Sequence, residues 1–150
     1  GPELAAGGET GEAKASVVMG TVEGDVHDIG KSICSTMLQC AGFDVHDLGR
    51  DVPKGNFINE VQNGCTFCGM SALMTTTMTA FPRVAQGLID AGLNIPMMGC
   101  GGAVNRDYAN SYDLGIYSEK APQTPLIADK ILAGYDWKRV RDEWDDIVGA

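Results

Sequence analysis

Apolar positions along the chain alternate between two rhythms. Short apolar runs at Ser16–Val22 (SVVMGTV), Phe43–Leu48, Cys65–Leu73, Ile95–Cys100 and Leu114–Tyr117 read as buried strands. Between them the apolar residues recur at helical spacing. Lys31 to Ala41 places Ile33, Met37, Leu38 and Ala41 on one face and stops at Gly42; a second helix runs through Phe57, Ile58 and Val61 behind Pro53. Phe81, Val84, Ala85, Leu88 and Ile89 predict a third, with Pro82 in its first turn and Gly92 at its end. Pro125 opens a helix to about Leu132, and Trp137, Val140, Trp144, Ile147 and Val148 predict one last amphipathic helix. Residues 1–15 are mostly Gly, Ala and Glu and are expected to be a flexible linker or, from Gly1-Pro2, a tag remnant, which leaves 16–150 as one domain.

Strands alternating with crossover helices predict an α/β protein with a doubly wound, five-stranded parallel sheet, most simply in the flavodoxin-like (Rossmann-like) order 2-1-3-4-5. Such sheets bind ligands outside the carboxyl ends of the strands, where the order reverses between strands one and three. The loops expected to carry chemistry are therefore Glu23–Gly30 and Ser71–Thr77, with Gly99-Cys100-Gly101-Gly102 beside them.

Composition narrows the ligand. Eleven Lys and Arg against twenty Asp and Glu give a formal charge of −9, which repels phosphate backbones and anionic lipid headgroups, so neither nucleic acid nor a membrane is an expected partner. No apolar run approaches the roughly 20 residues of a bilayer span, and no signal-peptide pattern opens the chain. With five cysteines in no disulfide-like pattern, the expected compartment is cytoplasmic. The twenty glycines, many at the ends of apolar runs, fit a ligand held by loops.

His27 stands in the first of these loops between Asp25 and Asp28. A carboxylate on one imidazole nitrogen makes the other a better ligand or base, although a loop histidine with acidic neighbours gives the same string. His46, in an Asp-Val-His-Asp strand, reads as structural. Five hydroxyls crowd the nine positions Ser71–Thr79; Thr77 or Thr79 is placed to cap the next helix, and Ser71 and Thr75 to face a cleft. Gly101-Gly102 leaves room for a flat ligand edge or makes a plain tight turn. Cys65-x-x-Cys68 has the spacing of a redox or zinc pair, but it enters a buried strand and has no second pair, which favours a structural role. No phosphate-cradle motif and no acyl-transfer triad is present.

Asp25-x-His27-x-x-Gly30, Ser71-x-Leu73 and Gly101-Gly102, in that order and on those loops, resemble the split signature of the cobalamin-binding fold from about Val17 to Leu132. The strings GDVHDIGK and GMSALMTTTM and the Asp51-Val52-Pro53 turn resemble the corrinoid carrier proteins of anaerobic methyltransferase systems. The resemblance implies that His27 is the lower axial ligand to cobalt in place of the cofactor's own base, with Asp25 as its hydrogen-bond partner and Thr77 extending the relay. Val26, Asp28, Ile29 and Gly30 complete the histidine loop. Ser71, Leu73 and Thr75 line the slot for the nucleotide tail, and Gly101 and Gly102 flank it. The bound forms implied are methylcobalamin and cob(I)alamin. The protein would be a methyl carrier, itself no enzyme, served by a substrate-specific methyltransferase, a methyl-acceptor methyltransferase using tetrahydrofolate or a thiol, and a reductive activating protein.

Family members carry an N-terminal helical cap over the corrin where this chain has linker composition, so an exposed methyl-bearing face is expected. Cys100 and the Cys65–Cys68 segment are expected to add thiols near the site. Methyl ethers, as in O-demethylase systems, are the favoured donor class, with methylamines, methanol and glycine betaine left open. The alternative is the cobalamin domain of an adenosylcobalamin mutase, which shares the histidine loop; the threonine run after Leu73 favours the carrier. A signalling receiver would need an acidic cluster at the end of the first strand, which is missing.

Overall fold

The computed structural model describes residues 13–149. Five parallel strands, β1 (Ser16–Thr21), β2 (Asp44–Asp47), β3 (Cys68–Ser71), β4 (Met97–Cys100) and β5 (Gly115–Tyr117), form one sheet in the order β2-β1-β3-β4-β5. Helices α1 (Ile29–Cys40) and α5 (Gln123–Leu132) cover one face; α2 (Lys54–Gln62) and α3 (Ala80–Asp90) cover the other. Side chains of β1 alternate between the two: Val18 packs with Phe57, Val61, Phe81 and Leu88, and Val17 and Met19 with Leu38, Ile127 and Ile131. A strand buried on both faces reads as a continuous apolar run, which is why the sequence signals it so clearly.

The register aligns Thr21 with Ser71 and Ser71 with Cys100, so β1, β3 and β4 end at the same level. The loops expected to carry chemistry therefore leave the sheet side by side.

Several boundaries differ from expectation. Strand β3 begins at Cys68, because Cys65 and Thr66 are still in the approach from α2, with Thr66 N–H bonding the Ser16 carbonyl at 2.7 Å. A short helix α4 (Arg106–Ala109), capped by the Asn105 side chain accepting from Tyr108 N–H at 2.8 Å, has too few residues for a periodic signal. The single last helix expected is two, α6 (Trp137–Asp142) and α7 (Trp144–Val148). Trp144 stacks on Tyr117 with centroids 5.9 Å apart and donates its indole N–H to the Tyr117 carbonyl at 2.8 Å, a tertiary anchor that outweighs helical continuity. The linker expected at 1–15 lies outside the described residues up to residue 12. Beyond it, Lys14 N–H bonds the Gly42 carbonyl at 2.9 Å and Asp44 N–H bonds the Ala15 carbonyl at 2.9 Å, which ties residues 14 and 15 to the start of β2. Among the described residues no helix is long and apolar enough to cross a membrane.

Gly115 opens β5 against the backbone of α4. A Cβ there would run into the Ala109 carbonyl and the Tyr112 ring, and backbone cannot swing aside as a side-chain tip can. Gly115→Ala is expected to lower stability by about 1–3 kcal/mol in urea denaturation; an unchanged midpoint would mean that the α4–β5 junction yields freely.

Candidate functional site

Where β1 ends, its chain is clamped by the loop after β2. Val22 and Val52 form a parallel bridge, Thr21 N–H bonds the Gly49 carbonyl at 2.8 Å, and Val52 N–H bonds the Thr21 carbonyl at 3.0 Å. Asp51, in the left-handed region with φ 54°, donates its N–H to the Asp25 carbonyl at 2.9 Å and accepts Gly24 N–H on its carboxylate at 2.8 Å. Aspartate tolerates that backbone region better than most residues. The clamp turns the Asp25 side chain inward.

Asp25 is fully buried, and its carboxylate accepts five hydrogen bonds. Oδ1 takes His27 N–H at 3.0 Å and the His27 ring at 2.8 Å. Oδ2 takes Leu73 N–H at 2.9 Å, Met74 N–H at 3.3 Å and the Thr77 hydroxyl at 2.8 Å. Burial is the largest single influence on this carboxyl and pushes its pKa up, but the bonds from His27, Leu73 and Thr77 together outweigh it and hold the group well below the usual carboxylate range.

An ionised carboxylate only accepts, so the His27 proton sits on Nδ1 and the Nε2 lone pair is free. The His27 side chain is 47% exposed, unlike its partner. Thr21, buried beneath it, donates its hydroxyl to the His27 carbonyl at 3.2 Å and lies 3.3 Å from the Ser71 hydroxyl. Around the imidazole, Val26, Ile29 and Leu73 present large apolar side chains to solvent, Ile29 being 78% exposed. Apolar groups clustered about one polar ligand atom are the usual lining of a small-molecule site.

These residues line a cleft of about 420 Å³ together with Asp28, Gly30, Lys31, Arg50, Ser71, Ala72, Gly101 and Gly102. A second cavity of about 380 Å³ shares Gly30, Gly101 and Gly102 with it and continues past Ile33, Cys34, Cys100, Tyr117 and Ser118. The two make a groove running from His27 down between α1 and the ends of β4 and β5. Gly101 has φ +105° and a Cβ on it would strike the Ala72 backbone, so glycine is required there by the chain itself. A Cβ on Gly102 would meet only the tip of Leu73, at 2.7 Å. Gly102 thus keeps space open.

Nine of the residues singled out in the sequence line this cleft: Val26, His27, Asp28, Ile29, Gly30, Ser71, Leu73, Gly101 and Gly102. Asp25 and Thr77 lie beneath it, tied to His27 as the relay requires. Thr75 is not in the lining: after Met74 the chain enters a 3-10 turn, Thr75–Thr77, which leaves Thr75 exposed and turns Thr77 back to Asp25. The expected helix cap is also absent, since Thr77 is committed to Asp25 and Thr79, at the N-cap of α3, makes no side-chain capping bond. Cys100 lines the groove beside Cys34 and donates its thiol to the Met70 carbonyl at 3.4 Å; the interaction of the two thiols lowers Cys34 from its ordinary value and, with burial, raises Cys100. Cys65 and Cys68, expected near the site, stand at the opposite, amino-terminal end of the strands.

Sequence reasoning passed over Thr21, Asp51 and Lys31 as site residues. Lys31, with its side chain 4% exposed, reaches Asp47 at 2.7 and 2.9 Å and fastens the start of α1 to the end of β2. Its position directly after Gly30 in the histidine loop was the available signal.

Fold and site together define a cofactor-presenting α/β domain, with one imidazole held by a buried carboxylate above a glycine-cleared groove. Residues 15–121 match the B12 binding domain family, and the chain belongs to that family. It is 46% identical over 129 residues to a methanol–corrinoid protein of Methanosarcina barkeri (strain Fusaro / DSM 804), covering 85% of this chain and 50% of that protein. It is 44% identical over 135 residues to dimethylamine corrinoid protein 2 of Methanosarcina acetivorans, covering 88% and 62%. Among solved structures, it superposes on a chain of the methanol:cobalamin methyltransferase complex from Methanosarcina barkeri with a TM-score of 0.86 at 44% identity, covering 91% of this chain and 54% of that one. The chain thus spans about half to three fifths of the length of these relatives.

Asp25→Asn places an amide N–H₂ against groups that are themselves donors and leaves at least one of them unmatched. It is expected to cost about 1–3 kcal/mol at neutral pH. Because the folded-state carboxyl is depressed, its contribution is complete above the ordinary value of 3.8 and is lost as the pH falls below that. Urea midpoints measured from about pH 6 down to about pH 3 should therefore fall less steeply in the variant than in the parent; parallel curves would remove Asp25 from the acid sensitivity.

Proposed function

We propose that this domain binds cobalamin, that His27 Nε2 would be the protein's ligand to its cobalt, and that the domain serves as the methyl carrier of an anaerobic methyltransferase system. The observation that carries the reading is the free Nε2 of an imidazole whose Nδ1 proton is locked on buried Asp25, at the mouth of an apolar-rimmed, glycine-cleared groove. The donor set fits, since neutral imidazole suits cobalt and a carboxylate on its other nitrogen is the usual support of a metal-bound histidine.

When bound, cobalamin supplies a cobalt centre that takes up and gives away a methyl group, and the protein supplies binding, orientation and electrostatics. His27 offers its lone pair in a fixed direction, because Asp25 and the Thr21 hydroxyl hold both ring and backbone. Asp25 holds the Nδ1 proton, which keeps the Nε2 lone pair directed into the cleft. Val26, Ile29 and Leu73 give a flat macrocycle an apolar seat. Ser71, Gly101 and Gly102 shape the path of the nucleotide tail, and the Thr75 hydroxyl stands exposed at the turn beyond Leu73.

Methyl transfer in and out requires a substrate-specific methyltransferase and an acceptor methyltransferase, with tetrahydrofolate or a thiol as acceptor. A reductive activating protein would be the third partner of such a system. The two relatives above are named for methanol and dimethylamine, so we place the donor among methanol and the methylamines rather than the methyl ethers expected from the sequence. The charge of −9 disfavours nucleic acid and anionic membrane surfaces as partners of this carrier.

His27→Ala, reconstituted with hydroxocobalamin, is expected to show the absorption spectrum of a cofactor without histidine ligation and a weaker affinity. A spectrum identical to the parent's would take His27 off the cobalt.

The two glycines separate fold from binding. Gly102→Val should keep the parent's circular dichroism and urea midpoint but lose cobalamin binding by at least about tenfold, since the added bulk stands in the groove. Gly101→Val should lose stability first. Tight binding by folded Gly102→Val would move the tail elsewhere.

A further inference from the structure

At the amino-terminal end of the sheet, away from the His27 cleft, three side chains from separate elements meet. His46 projects from β2, Glu60 from α2, and Cys65 from the segment entering β3. Their ligand atoms all lie within 4.8 Å of one another. His46 Nδ1 is 2.6 Å from Glu60 Oε1 and 3.7 Å from Cys65 Sγ. On the other side of the ring, His46 Nε2 is 2.9 Å from Asp44 Oδ2, which is itself held by the Ser16 hydroxyl at 3.0 Å.

We propose that His46 Nδ1, the Glu60 carboxylate and the Cys65 thiolate bind one zinc ion. Imidazole, carboxylate and thiolate are the three ligand types zinc takes, and bonds of about 2.0–2.3 Å in a tetrahedron place ligand atoms roughly 3.2–3.7 Å apart. The His46–Cys65 separation already has that value. The His46–Glu60 contact must open by roughly half an ångström. A glutamate side chain 25% exposed at the edge of the molecule has the freedom to do so.

Asp44 completes the arrangement. It takes the Nε2 proton, as a carboxylate does behind a metal-bound histidine, and so directs Nδ1 toward the ion. The fourth position faces solvent, for the His46 side chain is 39% exposed.

The contents of the cluster without metal are one imidazole between two carboxylates and a nearly buried thiol facing them. Two hydrogen-bonded carboxylates account for the imidazole as a simple ion-pair bridge, and that is the reading a histidine in this strand invites. They do not account for the sulfur, whose thiol is driven up to about 11 by burial and by the charges of Glu60 and Asp44. A divalent cation satisfies all three groups. On binding, Cys65 loses its thiol proton and His46 its Nδ1 proton to solvent, Nε2–H stays on Asp44, and no electrons are transferred. Cys68 takes no part, being wholly buried in the core packed under α2 and α3. The ion would fasten edge strand β2 to α2 and to the entry of β3, a structural task separate from cofactor binding.

The test is a zinc titration of the reduced chain against a chromophoric chelator, with zinc-edge X-ray absorption on the complex. One equivalent of zinc should be taken up, with one sulfur among its ligands. His27→Ala and Cys40→Ser should keep that uptake, which sets aside the other exposed histidine and the exposed thiol. Cys65→Ser and His46→Gln should weaken it by more than about tenfold, and Asp44→Asn by about tenfold. Zinc should raise the thermal midpoint of the parent and not that of Cys65→Ser. Should Cys65→Ser fail to fold, the sulfur signal of the unaltered protein and the His46→Gln titration still decide. The proposal is overturned if the chelator keeps its zinc, if bound zinc has no sulfur ligand, or if Cys65→Ser and His46→Gln take up zinc as tightly as the parent.

Discussion

A carboxylate with no access to water survives only where hydrogen bonds replace what hydration supplied. Asp25 meets that condition with donors from two loops: its own, through His27, and the one after β3, through Leu73, Met74 and Thr77. Each bond depends on the others, since moving either loop leaves a charge buried with too few partners. The clamp from Asp51 adds a third loop to the same unit. What emerges is an imidazole whose tautomer, direction and exposure are all set by one buried group. The position of the cleft, its apolar rim and the mouth of the groove follow from that.

Topology puts these loops within reach of one another. In the order β2-β1-β3-β4-β5, the chain leaves β1 toward one face and β3 toward the other, and the crevice between is where a parallel sheet has no crossover helix above it. Thr21, Ser71 and Cys100 share one level there. Two glycines then divide the remaining work: Gly101 lets the chain turn where a Cβ would strike backbone, and Gly102 leaves the groove clear. The membership of residues 15–121 in the B12 binding domain family accords with a site in which the absence of side chains at two glycines matters as much as the side chains present.

Most of this was legible in the sequence because its signals are local. Buried parallel strands are apolar runs, their helices carry a period of their own, and Asp25, His27 and Gly30 fall within six residues. What escaped depends on neighbours in space. The run of threonines does not by its own pattern separate Thr75 from Thr77; the resemblance points to Thr77, and the 3-10 turn is what brings it to Asp25. The division of the last helix at Glu143 comes from the docking of Trp144 on Tyr117, a contact between residues 27 positions apart. Asp51, quoted in the sequence only as part of a turn, enters the site through its N–H on the Asp25 carbonyl and its carboxylate on Gly24 N–H, contacts between loops that no local pattern announces. The meeting of His46, Glu60 and Cys65 has the same origin, since strand, helix and loop each contribute one residue and no motif spacing joins them.

The central claim is that His27, held by Asp25, is the ligand the protein offers to cobalt. The chain has only two histidines, His27 and His46, so isotopic labelling of histidine is nearly site-specific. Electron paramagnetic resonance of the bound cob(II)alamin form, prepared with ¹⁴N- and with ¹⁵N-histidine, reports the axial nitrogen directly. The account predicts superhyperfine splitting that changes from a triplet to a doublet on labelling, unaffected by His46→Gln and absent from His27→Ala. Splitting that ignores the histidine label would mean that cobalamin keeps its own base, and would contradict the account.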